Sequence, residues 1–108
     1  DFTYIDDLIE ALDKLIQQVL IQSPQIKHRC FNVGHGHPVE LHTLVKTLEE
    51  ILGQKAIVIL GAANPFDPIN TCADNSSLVH EIGPLTMTPL DEGLKRFVFW
   101  LKKEESTP

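Results

Sequence analysis

Cations are scarce in this sequence. Nine Lys plus Arg stand against fifteen Asp plus Glu in 108 residues, a formal net charge of −6. The longest basic run is Lys102-Lys103, and holding a phosphate backbone takes clustered cations, so nucleic acid is not an expected partner. Long apolar runs are also missing. Nothing approaches the roughly 20 residues of a membrane span, and the opening DFTYIDD is acidic where a secretory signal is basic and then apolar. The expectation is a cytoplasmic chain with no membrane partner. The two cysteines, Cys30 and Cys72, lack CxxC spacing and are too few for a secreted disulfide framework, which leaves reduced, part-buried thiols.

Catalytic signatures are absent as well. A loop that cradles phosphate needs several glycines so that backbone amides can approach the anion. Gly34, Gly36, Gly53, Gly61, Gly83 and Gly93 form neither GxGxxG nor GxxxxGK[ST], and Val39 stands where a third glycine after Gly34 and Gly36 would fall. The only tyrosine, Tyr4, has Leu8 four residues on, so there is no Tyr-x-x-x-Lys pair. GxSxG, HExxH and an EF-hand loop are missing too.

What is present is periodicity. Leu8, Ile9, Leu12, Leu15, Ile16, Val19 and Leu20 follow a 3.6-residue period behind Asp6 and Asp7, which read as helix caps. That helix is expected to stop before Pro24. Arg29 to Val33 reads as a short strand ended by Gly34. After the turn to Pro38, Leu41, Leu44, Val45, Leu48, Ile51 and Leu52 repeat the helical stripe up to Gly53, a left-handed C′ glycine. The β-branched run Lys55–Leu60 reads as a second strand, with a few strand residues in INTCAD before Asp74 caps a short helix ending at Gly83. Thr88 and Pro89, with Asp91 three residues after Thr88, predict the N-terminus of a last helix carrying Leu90, Leu94, Phe97, Val98 and Leu101, followed by a frayed tail, KKEESTP. The expected fold is a small mixed α/β unit, residues 1–108 as a single domain, with about four helices and two to three short strands. With 43% hydrophobic residues it has enough apolar side chain for a modest core.

His35 and His37, with His28, Cys30 and His42 nearby, invite a metal reading. Zinc needs three or four ligands converging tetrahedrally, and side chains at i and i+2 of an open turn need not converge. No metal site is expected.

Four pieces, DFTYIDDLIEAL, FNVGHGHPVEL, NPFDPINTCAD and TPLDEGLKRFVFWLKK, together resemble the C-terminal part of the NAD-dependent epimerase/dehydratase family, the extended short-chain dehydrogenase/reductases, with UDP-glucuronate 4-epimerases looking most similar. The resemblance covers nearly all of the chain. It implies a nucleotide-sugar-binding C-terminal portion of a Rossmann-type enzyme. The N-terminal domain that binds NAD and carries the glycine loop and Tyr-x-x-x-Lys would then be absent. The missing initiating methionine fits the same expectation of a fragment. The parent would oxidise the sugar C4 to a 4-keto intermediate and reduce it again from the other face, acting on a UDP-sugar as a homodimer. No catalytic or cofactor-binding residue falls on this chain, which is expected to be inactive alone.

Carried over by the same resemblance, Phe2 takes the aromatic position of an Arg-Asp-[Phe/Tyr] motif that lies against the nucleotide. The motif's arginine would immediately precede Asp1. Asp67 takes the aspartate of an [Arg/Gln]-x-Gly-Asp loop that bonds ribose hydroxyls, and Asn64 that loop's first position. Phe66 and Pro68 stand where the family has glycine and valine, which alters the loop backbone. Phe97 is expected to pack inward, and Trp100 to cover surface that the Rossmann domain would touch. A nucleotide-sugar dehydratase or decarboxylase, and a non-enzymatic binding module that kept the fold, are the alternative functions.

Overall fold

The computed structural model describes residues 1–21, 28–62 and 64–105. Four helices form in them: α1 Ile5–Ile21, α2 Leu41–Leu52, α3 Ser76–Ile82 and α4 Leu90–Glu105. They pack in two pairs, α1 on α3 and α2 on α4. Helices α1, α2 and α4 follow stripes legible in the sequence, and α3 forms where a short helix ending at Gly83 was expected. Gly53 closes α2 in the left-handed region at φ 67°, its N–H donating to Glu49 O at 2.9 Å. The residues at which α1 was expected to stop, around Pro24, lie outside the described residues. So do the last three of the expected tail, whereas Lys102 to Glu105 continue α4 instead of fraying.

The expected α/β fold is not what forms. Among the described residues there is no strand and no sheet. A strand exists only by its neighbour's ladder, and amides at the ends of the expected strands go to side chains instead. At the end of Arg29–Val33, Gly34 N–H donates to Asn75 Oδ1 (3.1 Å), His35 N–H to Thr3 Oγ1 (3.0 Å) and Gly36 N–H to Asp1 Oδ2 (3.0 Å). In the INTCAD run, Ala73 N–H donates to Asp1 Oδ2 at 2.7 Å. Lys55–Leu60 is tethered at its start, where Glu49 accepts from the Ala56 N–H at 2.9 Å and from Lys55 Nζ at 2.6 Å. Ile57, Val58, Ile59 and Leu60 then stand exposed. Their β-branched character describes how well they would fit a pleated surface, not whether one is there.

The expected caps are also redistributed. Asp6 and Asp7 lie in the first turn of α1, but Asp7 is buried and turns to the other end of the chain, accepting from Thr88 N–H (2.8 Å) and Thr88 Oγ1 (2.6 Å). Asp91 pairs with Lys95 at 2.9 Å rather than closing a box with Thr88. Asp74 stands one residue before the N-cap position, which Asn75 takes, and its Oδ1 accepts from the Ser76 N–H at 2.9 Å. Phe97 does not pack inward. It is about half exposed and leans on Trp100, ring centroids 5.9 Å apart, while Val98 takes the buried position. Ala11, Leu78 and Val98 are the buried apolar residues among those described.

Candidate functional site

The chain's first residues are drawn into a knot with two distant turns. Asp1 Oδ2 receives the amides of Gly36 and Ala73. Asn75 grips Gly34 from both sides, its Nδ2 donating to Gly34 O at 2.6 Å while Gly34 N–H returns to Oδ1 at 3.1 Å. Thr3 Oγ1 holds the His35 amide. Close approach explains Gly34, because a Cβ there would collide with Ala73 Cβ. Gly36 sits at φ +76°, where a side chain would strain the backbone. Beside the knot opens a hollow of about 510 Å³ edged by Asp1, Thr3, Phe31, Asn32 and Cys72.

Next along the chain, Phe2 and Tyr4 line a cavity of about 300 Å³ with Leu44, Leu90, Leu94 and Phe97. Its walls are mainly apolar, which suits a flat or apolar group better than a charged one. Tyr4 is fixed there by Gly93, where a Cβ would approach the ring to 3.2 Å, and Arg96 stands over the same ring at 5.5 Å. The Asp7–Thr88 bonds pin the chain entering α4, so Thr88, Pro89 and Leu90 complete the cavity wall.

Of the residues singled out in the sequence, Phe2 faces this cavity and is 37% exposed. Asn64 and Asp67 do not line it. They meet each other in an exposed turn. Asp67 N–H donates to Asn64 O at 3.1 Å, Phe66 N–H to Asn64 Oδ1 at 3.1 Å, and Asn64 Nδ2 to Asp67 Oδ1 at 3.3 Å. Phe66, in the glycine position of the family's loop, is 91% exposed.

The histidines do not gather. His35 and His37 stack edge to face at 5.2 Å, and His37 Nδ1 lies 3.2 Å from His35 O. His28 Nε2 lies 3.6 Å from Cys30 Sγ, and His42 pairs with Glu40 at 2.9 Å; Cys30 and Cys72 are free thiols, exposed rather than part-buried. Among the described residues no three His, Cys, Asp or Glu side chains form a group that could hold a metal ion.

Sequence reasoning missed the knot and the Asp7–Thr88 link. The partners lie 32 to 81 residues apart, and no periodicity connects them. The nearest signal was the glycine pair Gly34 and Gly36 without the rest of a phosphate loop, which means the close backbone approach had to serve something else.

No protein-family model matches the chain. Similarity to individual proteins is clear. The chain is 32% identical to an uncharacterised 37.6 kDa protein of Escherichia coli O111:H-, over 94% of its own length and 34% of the other's. It is 33% identical to a probable UDP-glucuronate 4-epimerase of Rhizobium meliloti, over 93% of its own length and 33% of the other's. It is 35% identical to UDP-glucuronate 4-epimerase 1 of Arabidopsis thaliana, over 93% of its own length and 25% of the other's. The chain thus spans a quarter to a third of the curated relatives it matches, and over nearly all of its own length it is a homologue of UDP-glucuronate 4-epimerases, as the four sequence pieces implied.

Proposed function

We propose that this chain is the substrate-side part of a longer nucleotide-sugar epimerase of the UDP-glucuronate 4-epimerase type. The observation that carries the reading is the match along 93% of the chain to proteins bearing that name in a bacterium and a plant. It is supported by the knot, in which Asp1, Gly36 and Ala73, taken from three of the four matched pieces, are bonded together. In this reading Phe2 offers an aromatic face to the uracil from the wall of the apolar cavity. Asp67 offers a carboxylate to ribose hydroxyls and Asn64 an amide donor to the diphosphate.

In this reading the described residues of this chain do not hold NAD. The glycine amides that a dinucleotide phosphate would need, those of Gly34 and Gly36, are given to Asn75 and Asp1. NAD belongs, in this reading, to residues outside the chain, and no hydride step is assigned to these.

The test is chromatography of UDP-glucuronate incubated with the complete product of the gene that encodes this chain. A second UDP-uronate peak of the C4 epimer is expected, with KM raised by Phe2→Ala and restored by Phe2→Tyr. A native polypeptide of about this size with no interconversion would overturn the reading. The exposed Phe66 and the neighbouring Pro68, where the family's loop has glycine and valine, favour one alternative: a binding module that kept the fold. It would hold UDP-sugar or a protein partner without turnover.

A further inference from the structure

The run from Ala56 to Leu60 is apolar and lies in no helix, turn or strand. All of it is exposed, with Ile57, Val58, Ile59 and Leu60 at 94, 62, 89 and 92%. This exposure differs in kind from that of a helix face. A helix bonds its own backbone, whereas no described residue bonds the backbone of Ile57 to Leu60. A short run of high β propensity with little charge and no proline or glycine, open along its backbone, is a template for strand addition.

The way the run is held decides which of its edges is available. Glu49, near the end of α2, accepts from the Ala56 N–H at 2.9 Å and from Lys55 Nζ at 2.6 Å. In an extended run alternate residues turn their backbone groups to opposite edges, so Glu49 takes the edge of Ala56, Val58 and Leu60. It also neutralises Lys55, the one charge between Lys55 and Leu60. The edge of Ile57 and Ile59 stays open.

The sequence supplies its own complement. Ala-Ile-Val-Ile-Leu read backwards is Leu-Ile-Val-Ile-Ala. In an antiparallel pair on a two-fold axis through Val58, Ile57 of one copy faces Ile59 of the other, and Ala56 faces Leu60. Ile57 and Ile59 then occupy the hydrogen-bonded positions, on the open edge of both copies, and Val58 meets Val58 in the closer, non-hydrogen-bonded pair. Lys55 stands opposite Gly61. Parallel in-register pairing would instead set Lys55 beside Lys55, a like-charge contact.

We propose that Ala56 to Leu60 pairs in this antiparallel register with the same segment of a second copy of this chain, an interaction beyond the function proposed above and independent of it. The contact is isologous and closes on itself, because Glu49 keeps the other edge. It is small, in the transient class below about 1,200 Å², and forms at high chain concentration.

Disulfide formation between copies of Val58→Cys, compared with Ile57→Cys, tests the register at millimolar concentration. Peptide mass spectrometry separates the new bonds from those of Cys30 and Cys72. At position 58 the two Cα atoms would stand about 4.5 Å apart, within disulfide range, and at position 57 about 7–8 Å apart, beyond it. A 58–58 bond that forms at least about tenfold faster than a 57–57 bond is the expected result. Sedimentation equilibrium of the unsubstituted chain should show monomer and dimer. Val58→Lys, which sets two like charges opposite each other, should shift it to monomer with the helical circular dichroism unchanged. Equal cross-linking rates, or a chain that stays monomeric at millimolar concentration, would overturn the proposal. So would association that Val58→Lys leaves intact, which would place the contact on another face, and growth into thioflavin-binding fibres, which would mean that both edges pair.

Discussion

At the scale of single residues, the structure concentrates its demands on positions that bond across the chain. Gly34 tolerates no side chain because Ala73 and Asp1 fill the space where its Cβ would stand. Gly34→Ala is expected to cost about 1–3 kcal/mol as an overpacked contact. At about 4–8 °C per kcal/mol for a small domain, the loss is readable in a thermal melt, and an unchanged midpoint would refute the close approach. Asp7 is 6% exposed and takes two hydrogen bonds from Thr88. Asp7→Ala leaves a part-buried amide and hydroxyl without their acceptor, at about 1–3 kcal/mol. Asp7→Asn retains one acceptor oxygen and is expected to lose less. Asp74 contributes through pH instead. Its bonds to Ser76 hold the carboxyl below the ordinary aspartate value of 3.8. A carboxyl lowered by folding stabilises the fold above its unfolded value and loses that contribution as pH falls through the folded one. The melting midpoints of the parent chain and Asp74→Ala are therefore expected to differ at pH 6 and to converge below pH 3.8. A constant gap would sink the assignment.

At the scale of elements, the expected helices form and the expected strands do not. The apolar stripes of α1, α2 and α4 repeat with the helical period, and a helix satisfies its own backbone, so a local pattern suffices. The run from Lys55 to Leu60 has the composition of a strand, but a strand's hydrogen bonds are made elsewhere in the chain. Here the local partner is the Glu49 carboxylate and not a ladder. The candidate site divides along the same line. Phe2 was legible as an aromatic at a family position. Asp1, Thr3 and Asn75 were not, because their bonds to the Gly34 to Gly36 turn depend on where the turn lies in space. Asn64 and Asp67 were legible as a pair three residues apart, but not that each would bond the other. Helix α4 supplies a test at this scale. Gly93 is buried beneath Tyr4, so Gly93→Leu, although it adds about 1 kcal/mol of helix propensity, is expected to displace the ring at a larger cost, about 1–3 kcal/mol. Near-ultraviolet circular dichroism of Tyr4 and Trp100 reports the displacement. A variant more stable than the parent would mean that the cavity wall is looser than the structure has it.

At the scale of the molecule, the decisive quantity is how little the chain encloses. Its radius of gyration is 17.8 Å, against about 13 Å for a compact domain of this length. The two helix pairs enclose little, with Ala11, Leu78 and Val98 the buried apolar residues among those described, and large apolar side chains such as Leu20, Ile21, Ile57, Leu60 and Ile69 stand in solvent. The net charge of −6 keeps such a surface dispersed, but it does not cover the apolar groups. Two observables follow from one cause. A chain with much apolar surface already exposed gains little on unfolding, so its urea m-value is expected at or below the lower end of the usual range, about 1 kcal/mol/M. The same surface is expected to bind 8-anilinonaphthalene-1-sulfonate under native conditions, the response of uncovered hydrophobic area. In the complete gene product both signs should reverse, with a steeper transition and loss of dye fluorescence, because the faces open here would then be interior. A steep, dye-free transition in the 108-residue chain alone would mean that it closes its own core. The excess surface would then have no need of a larger polypeptide.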